Sequence, residues 1–435
     1  MRTRSIICAL VAALLLTGCG ETPHKVRTLE LTPEEKVVNT NQNGFTLDLL
    51  KQVSATETES ENVFLSPLSV AIVGAMLANG AEGETLNQIL RTIGAGDYSV
   101  DDLNAYYKNL LENLPYLDKY TDMKLADAIW VDNDCKVKDA FVKVNKDYYK
   151  AKVQNADLAD PATAKQVNNW ANQNTKGLIP KVVDESIFNE NLRMILANAI
   201  YFKSKWSSPF DVGLTEERDF TRADGSLSEV KMMSKGGEMY VTPTSDARVF
   251  YFSYDGSEKQ PAEADTTHYD ARILRLYFKD GAYCADFILP RRDLSVEAYL
   301  EDLDLEELAD LQGRLGLYEV EIQVPKCKLK YHRDLNEDMQ ALGMVDVFTS
   351  NANLSGISTQ ESLCLDRLFQ DSYMEMDEEG VKAAAVSVGL VAPTAALDPS
   401  TRVDPFILDR PFLLLIREVK YGTILFAGKI GNPAE

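Results

Sequence analysis

Three observations predict a mixed α+β fold for this sequence. Stretches with helical periodicity stand before and among long apolar runs of strand composition. Those runs do not alternate regularly with helices, which disfavours a doubly wound parallel sheet. From Asn43 onward the pattern stays globular, with no internal repeat and no low-complexity linker to divide it. A chain of 435 residues, 45% hydrophobic and 26% charged, can bury a large core. Length by itself suggests roughly two or three domains.

In chain order, MRTRSIICALVAALLLTGCGE places Arg2 and Arg4 before an apolar run, Ile6 to Leu16, too short to span a bilayer, which reads as an export signal. Leu16-Thr17-Gly18-Cys19 resembles the lipobox of bacterial lipoproteins, with cleavage before Cys19 and acylation there. More than one acyl chain makes a stable anchor. Residues 1–18 are then a lipoprotein signal and 19–42 a lipidated tether, implying a chain exported to a bacterial cell envelope and held at the outer membrane or cell surface.

GFTLDLLKQV has an amphipathic helical pattern. NVFLSPLSVAIVGAMLANGA reads as a short strand, a Ser-Pro turn and a buried helix, and DLNAYYKNLLENL as a further helix. MKLADAIWV, RMILANAIYF, RILRLYF, YCADFILP, YEVEIQV and PFLLLIRE follow as strands, with helical ATAKQVNNWANQNT and NEDMQALGM among them. Tyr251 to His268 is polar and rich in turn formers, the composition of a long surface loop inserted between strands.

The chemistry of the chain is sparse. A formal net charge of −22 argues against nucleic acid and anionic headgroups as partners, since both demand a basic face. The three histidines, His24, His268 and His332, are scattered, and the H-E-x-x-H, G-x-S-x-G, dinucleotide and Walker patterns are missing. Ser228 to Lys231 fits S-x-x-K without its companion motifs. Cys135, Cys284, Cys327 and Cys364 are far apart, with no C-x-x-C spacing for zinc or redox work. No catalytic residue, metal site or cofactor is expected, and the chain reads as no enzyme.

Several segments, in one order from about Asn43 to Pro433, resemble the serpin family. Phe406 to Ile416, FILDRPFLLLI, fits its C-terminal signature; Asn62 to Ser69, NVFLSPLS, is similar to its NIFFSPLS segment. LANAIYFKSKW, ending in Trp206, MVDVFTSNANLSGIS and GTILFAGKIGNP also match. The resemblance implies a single domain over 43–435, helices around a large central β-sheet with further sheets, and an exposed reactive loop at about 378–404. That overrules the count of domains from length. It also implies a monomer that inhibits proteases as a suicide substrate: a serine protease, or a cysteine protease, attacks one loop bond, and the freed arm inserts into the sheet while the acyl-enzyme persists.

The resemblance makes Glu378, Glu379 and Gly380 the opening of that loop and the hinge, continuing through Val381, Lys382, Ala383, Ala384 and Ala385. A strand points alternate residues to opposite faces, so Val381, Ala383, Ala385, Ser387, Gly389 and Val391 share one face and are uncharged and small or medium in size. Lys382 falls on the other face. The family's spacing puts the reactive bond at Thr394-Ala395, small residues suited to elastase-like or subtilisin-like proteases; counting back from Pro411 points nearer Pro399 to Thr401. It also places Ser66, Ser69, Asn198 and Trp206 under the sheet where strands must part, with Gln370 where the family often has His. The alternative reading is a serpin fold that binds a ligand and inhibits nothing.

Overall fold

The structure is a computed structural model, and it describes residues 25–58, 60–243, 270–358, 363–381 and 403–434. The insert expected at 251–268, the reactive bond and the arm from Lys382 onward lie outside these residues, as does Cys19.

The N-terminal third is helical. Helix α1 (Pro33–Thr56) starts on a reciprocal cap: the Thr32 hydroxyl accepts from Glu35 N, and the Glu35 carboxylate accepts from Thr32 N. Strand β1 (Val63–Leu65) leads into α2 (Pro67–Ala78), whose twelve residues are all buried, as a helix without a polar stripe must be. Then come α3 (Gly83–Thr92) and α4 (Val100–Asn113), the latter capped by Ser99 with Asp102.

The middle of the chain builds β2 (Asp122–Asp132), α5 (Asp139–Tyr149), β3 (Lys152–Ala156), α6 (Thr163–Asn174), β4 (Met194–Lys205), β5 (Glu216–Thr221), β6 (Leu227–Val241), β7 (Ala271–Tyr277) and β8 (Tyr283–Pro290). Helices α7 (Val296–Asp302) and α8 (Leu305–Gly313) precede β9 (Gly316–Pro325), β10 (Cys327–Asp334) and α9 (Asn336–Ala341). The chain ends with β11 (Arg367–Met376), β12 (Gly380–Val381), β13 (Phe406–Ile407), β14 (Phe412–Glu418) and β15 (Ile424–Ile430).

Among the described residues the strands form two sheets. Six make the central sheet in the order β10-β11-β12-β4-β2-β3; nine make the second, β1-β15-β14-β8-β7-β6-β9-β13 with β5 beside β6. Helix α2 is packed against both β4 and β15, so it lies between the sheets. The central sheet is apolar on both faces: Met194, Leu196, Ile200 and Leu368 join the main core on the α2 side, and Ile195, Ala197, Ala199 and Trp130 pack with Val167 and Trp170 of α6 on the other. Burial of both faces is why RMILANAIYF reads as a continuous apolar run.

The N-terminal boundary differs from the expected tether of 19–42. Leu29 and Leu31 are buried in the core, Arg27 N donates to Tyr116 O, and α1 begins ten residues before Asn43. Short apolar residues set in a polar segment have too little periodicity to be read from sequence, yet both leucines join the main core, and the β14–β15 turn holds their backbone, Leu31 N donating to Tyr421 Oη and Leu29 O accepting from Lys420 Nζ. Lys420 and Tyr421 in that turn hold Glu30.

Candidate functional site: hinge and sheet-opening region

Strands β4 and β11 are parallel neighbours from Arg367↔Ile195 to Asp371↔Ala199. Above that level β12 stands between them, with Gly380 opposite Lys205, Val381 opposite Ser204, and Met376 of β11 opposite Val381 on the other side. Val381 is 3% exposed and faces the core. The start of the reactive segment is thus already a strand of the central sheet.

A tight turn makes this possible. Asp377 N donates to Gly380 O, and the Asp377 carboxylate accepts from Glu379 N and Gly380 N. Gly380 is required by space: a Cβ there would fall 2.2 Å from Ser204 O and 2.7 Å from Lys205 Cα, both backbone atoms. Trp206, stacked on Phe278 with ring centroids 4.8 Å apart, donates its Nε1 to Asp377 O and its N to Glu379 O.

The expectation that Glu378 opens an exposed loop is corrected here. Glu378 is 6% exposed; its carboxylate accepts from Thr215 Oγ1 at 2.8 Å and pairs with Lys326 Nζ at 2.7 Å, while its carbonyl accepts from Phe210 N. Burial works to raise its carboxyl, but the bonds from Lys326, the backbone and Thr215 hold it below the usual range. A charge with two donors can be buried where a bare one cannot, and neither donor is near it in sequence.

Below the hinge, a polar row crosses the α2-facing side of the sheet. Asp127 of β2 lies opposite Asn198 of β4, and Asn198 opposite Gln370 of β11. Gln370 Oε1 accepts from Ser66 N at 3.0 Å and Nε2 donates to Ser66 O at 2.8 Å, a two-way clamp on the N-cap of α2. Ser66 Oγ reaches Ser69 Oγ at 3.1 Å and Leu425 O at 2.7 Å, and Ser372 Oγ donates to Phe64 O. Asn198 Nδ2 donates to Asp127 Oδ1 at 2.7 Å.

Asn198 and Gln370 therefore lie with Asp127 in one row across three strands, and Gln370 carries the bonds from that row to Ser66 at the start of α2, beside Ser69. Trp206 does not join them. Eight residues beyond Asn198 along β4, about 26 Å away at strand rise, it serves the hinge turn instead. Asp127, Lys326 and Thr215 were missed from sequence. Asp127 gave a signal, a carboxylate inside the apolar run MKLADAIWV; Lys326 and Thr215 gave none. Thr394 and Ala395 lie outside the described residues, as do Lys382 to Ala385.

The four cysteines among the described residues are free, Cys135, Cys284 and Cys327 being buried. No group of three or more His, Cys, Asp or Glu that could hold a metal occurs among the described residues, and no helix there is long and apolar enough to cross a membrane.

Comparison with known proteins gives this arrangement a relative. Human neuroserpin is 30% identical over 405 residues, covering 92% of each chain, and Serpin-ZX of Arabidopsis thaliana is 28% identical over 414 residues, covering 90% of this chain and 97% of its own. The native structure of the thermophilic serpin tengpin superposes with a TM-score of 0.76 at 27% identity, covering 94% of this chain and 97% of tengpin. A thyroxine-binding globulin in complex with thyroxine shares the fold at TM-score 0.76 and 23% identity, covering 92% of this chain and 100% of that one. The family model for serpin (serine protease inhibitor) matches residues 40–433. With a central sheet parted at one end by its own hinge and that match over nearly the whole body, the chain belongs to the serpin family, whose members are generally protease inhibitors rather than catalysts.

Proposed function

We propose that this chain is an inhibitory serpin, a suicide substrate that traps serine proteases, with cysteine proteases as a second class, by inserting its cleaved loop arm into the central sheet. The observation that carries the reading is β12: two hinge residues sit as a strand between β4 and β11, with Val381 facing inward. Continuing the two registers by equal steps would bring Ala383, Ala385, Ser387 and Gly389 to that same inward face. Counted from Val381↔Ser204, Ser387 meets Asn198; counted from Met376↔Val381, it meets Gln370. The counts on the two flanking strands, themselves in register at Asn198 and Gln370, meet at one residue, and it is the one hydroxyl of the inward set, which insertion would deliver to the polar row.

The bait is Thr394-Ala395, and elastase-like or subtilisin-like enzymes are the intended targets. Incubation with a panel of these, together with trypsin-like and chymotrypsin-like enzymes, tests it. An SDS-resistant complex and a released C-terminal peptide beginning at Ala395 are expected. Cleavage by every enzyme without complex or thermal stabilisation would leave a ligand-binding role, of the kind thyroxine-binding globulin's name carries.

We further propose a lipid anchor at Cys19, supported by Leu16-Thr17-Gly18-Cys19 after a short apolar run. Only eight chain steps separate Cys19 from Arg27, where the folded body is already bonded to Tyr116. Fully extended they reach about 28 Å, so the domain would sit close to the bilayer. Cys19→Ser should move the protein from the membrane to the soluble fraction.

A further inference from the structure

Asp127 is a carboxyl group in the interior of the sheet-opening region, with no charged partner among the described residues. It is 3% exposed, its Oδ1 accepts from Asn198 Nδ2, and its Oδ2 has no hydrogen-bond partner among the described residues. Asn198 Oδ1 also has none. Both orphans are acceptors, and they belong to the two ends of one hydrogen-bonded pair. Buried polar atoms rarely go unsatisfied. A single proton on Asp127 Oδ2, donated to Asn198 Oδ1, would satisfy both and leave a neutral acid–amide couple.

Among the described residues, the elements packed on this face bring no compensating charge. Helix α2 has no ionisable side chain. The inward residues of β4 and β11 at this level are Leu196, Ile200, Leu368, Gln370 and Ser372. The ionisable group that senses Asp127 is the buried Tyr149 hydroxyl of α5, itself donating to Asn104, and Tyr107 of α4 donates to Gln42. The His332–Asp371 ion pair involves the odd-numbered position of β11, which faces the opposite side of the sheet.

We infer that Asp127 carries a proton in the closed sheet, held in an acid–amide couple with Asn198, and releases it to water when β4 and β11 part, so that sheet opening is proton-linked and becomes easier as pH rises. The release step is an ionisation alone: the O–H bond of the carboxyl breaks, water takes the proton, and Asp127 is left a hydrated carboxylate. Burial, opposed by the Asn198 bond, pushes the carboxyl up to about 7. The sign follows. The closed state binds the proton more tightly than an opened or unfolded one, so its advantage is complete below about pH 4 and is lost as pH climbs through about 7. The link to opening rests on the insertion reading above; the protonation does not.

The test uses the full chain and Asp127→Asn across roughly pH 5 to 8. An Asn side chain can accept from Asn198 Nδ2 and donate to Asn198 Oδ1, keeping the couple without its proton. In the natural protein the melting temperature should fall over that range, and uptake of a synthetic peptide of residues 381–394, read on native gels, should speed up by about tenfold. In Asp127→Asn both trends should flatten. Parallel profiles in the two proteins would overturn the inference. Should the variant fail to fold, the infrared carbonyl stretch of a protonated carboxylic acid in the natural protein near neutrality decides: its presence below pH 7 and loss above supports the couple, and its absence refutes it. If the peptide is never taken up, the insertion reading fails, while the melting profiles still judge Asp127.

Discussion

Gln370→Leu isolates what the clamp on α2 contributes. The substitution keeps an apolar stem of similar size in a site 1% exposed, and removes both bonds to Ser66. The two losses are unequal. Ser66 O still accepts from Ser69 N at 3.0 Å and from Val70 N at 3.3 Å within α2, so it forfeits about 0.5–1.5 kcal/mol. Ser66 N loses the one acceptor that Gln370 supplies and stays buried, at about 1–3 kcal/mol. The sum, about 1.5–4.5 kcal/mol, corresponds to roughly 10-fold to 2,000-fold in the equilibrium between closed and opened sheet. The assay is the rate of spontaneous conversion to polymer or loop-inserted monomer on native gels, beside urea unfolding followed by tryptophan fluorescence. Faster conversion with an earlier unfolding midpoint is expected. Unchanged conversion, with a midpoint like the natural protein's, would refute the idea that this amide restrains the strands.

The hinge makes three more predictions. Gly380→Val cannot be fitted against Ser204 O, so β12 should detach, re-exposing Val381 at a cost of about 1.5 kcal/mol; hydrogen exchange at 380–381 should accelerate, and more molecules should be cleaved per protease trapped. Val381→Arg places a charge on the buried face and should convert inhibitor to substrate, whereas Lys382→Glu, opposite Lys203 and Glu375 if the registers continue, should change little; equal loss from both would refute the face assignment. Lys326→Met leaves the Glu378 carboxylate with Thr215 and the backbone but no cation. Because Lys326 is itself a third exposed, the cost should be about 1–2 kcal/mol, below that of a fully buried pair. Glu378 is held below its ordinary range, so the stabilisation it gives is present above about pH 4 and lost as pH falls through the lowered value. Thermal melts should show that acid-side loss in the natural protein and a smaller one in Lys326→Met.

What could be read from the sequence follows from how locally each feature is encoded. Helix α2 and strand β4 are legible because burial on every side leaves a largely apolar run, broken by Ser69 in the one and Asn198 in the other. Strand β6 was not read, since LSEVKMMSKGGEMYV switches its inward residues between Met232 and Met239 across Gly236-Gly237 and so breaks the alternation by which strands are recognised. The polar row was half legible. Motif resemblance reached Ser66, Ser69, Asn198 and Gln370, but nothing along the chain says that Asp127 faces Asn198, because that depends on the register of β2 against β4. Glu378 reads as an exposed charge for the same reason: Lys326 and Thr215 reach it only through the fold.

The two-residue strand β12 bears on timing. Adding a strand to a sheet is slow chiefly in its first step, when chain ends must be brought together before any bond repays the lost freedom. Here that step is already complete, with Gly380 and Val381 seated between β4 and β11 before any protease arrives. In the proposed mechanism the arm therefore has only to zip, each further residue starting from a fixed neighbour and a set register. The contest between insertion and hydrolysis of the acyl bond would then be run at the speed of elongation, with nucleation stored in the resting molecule.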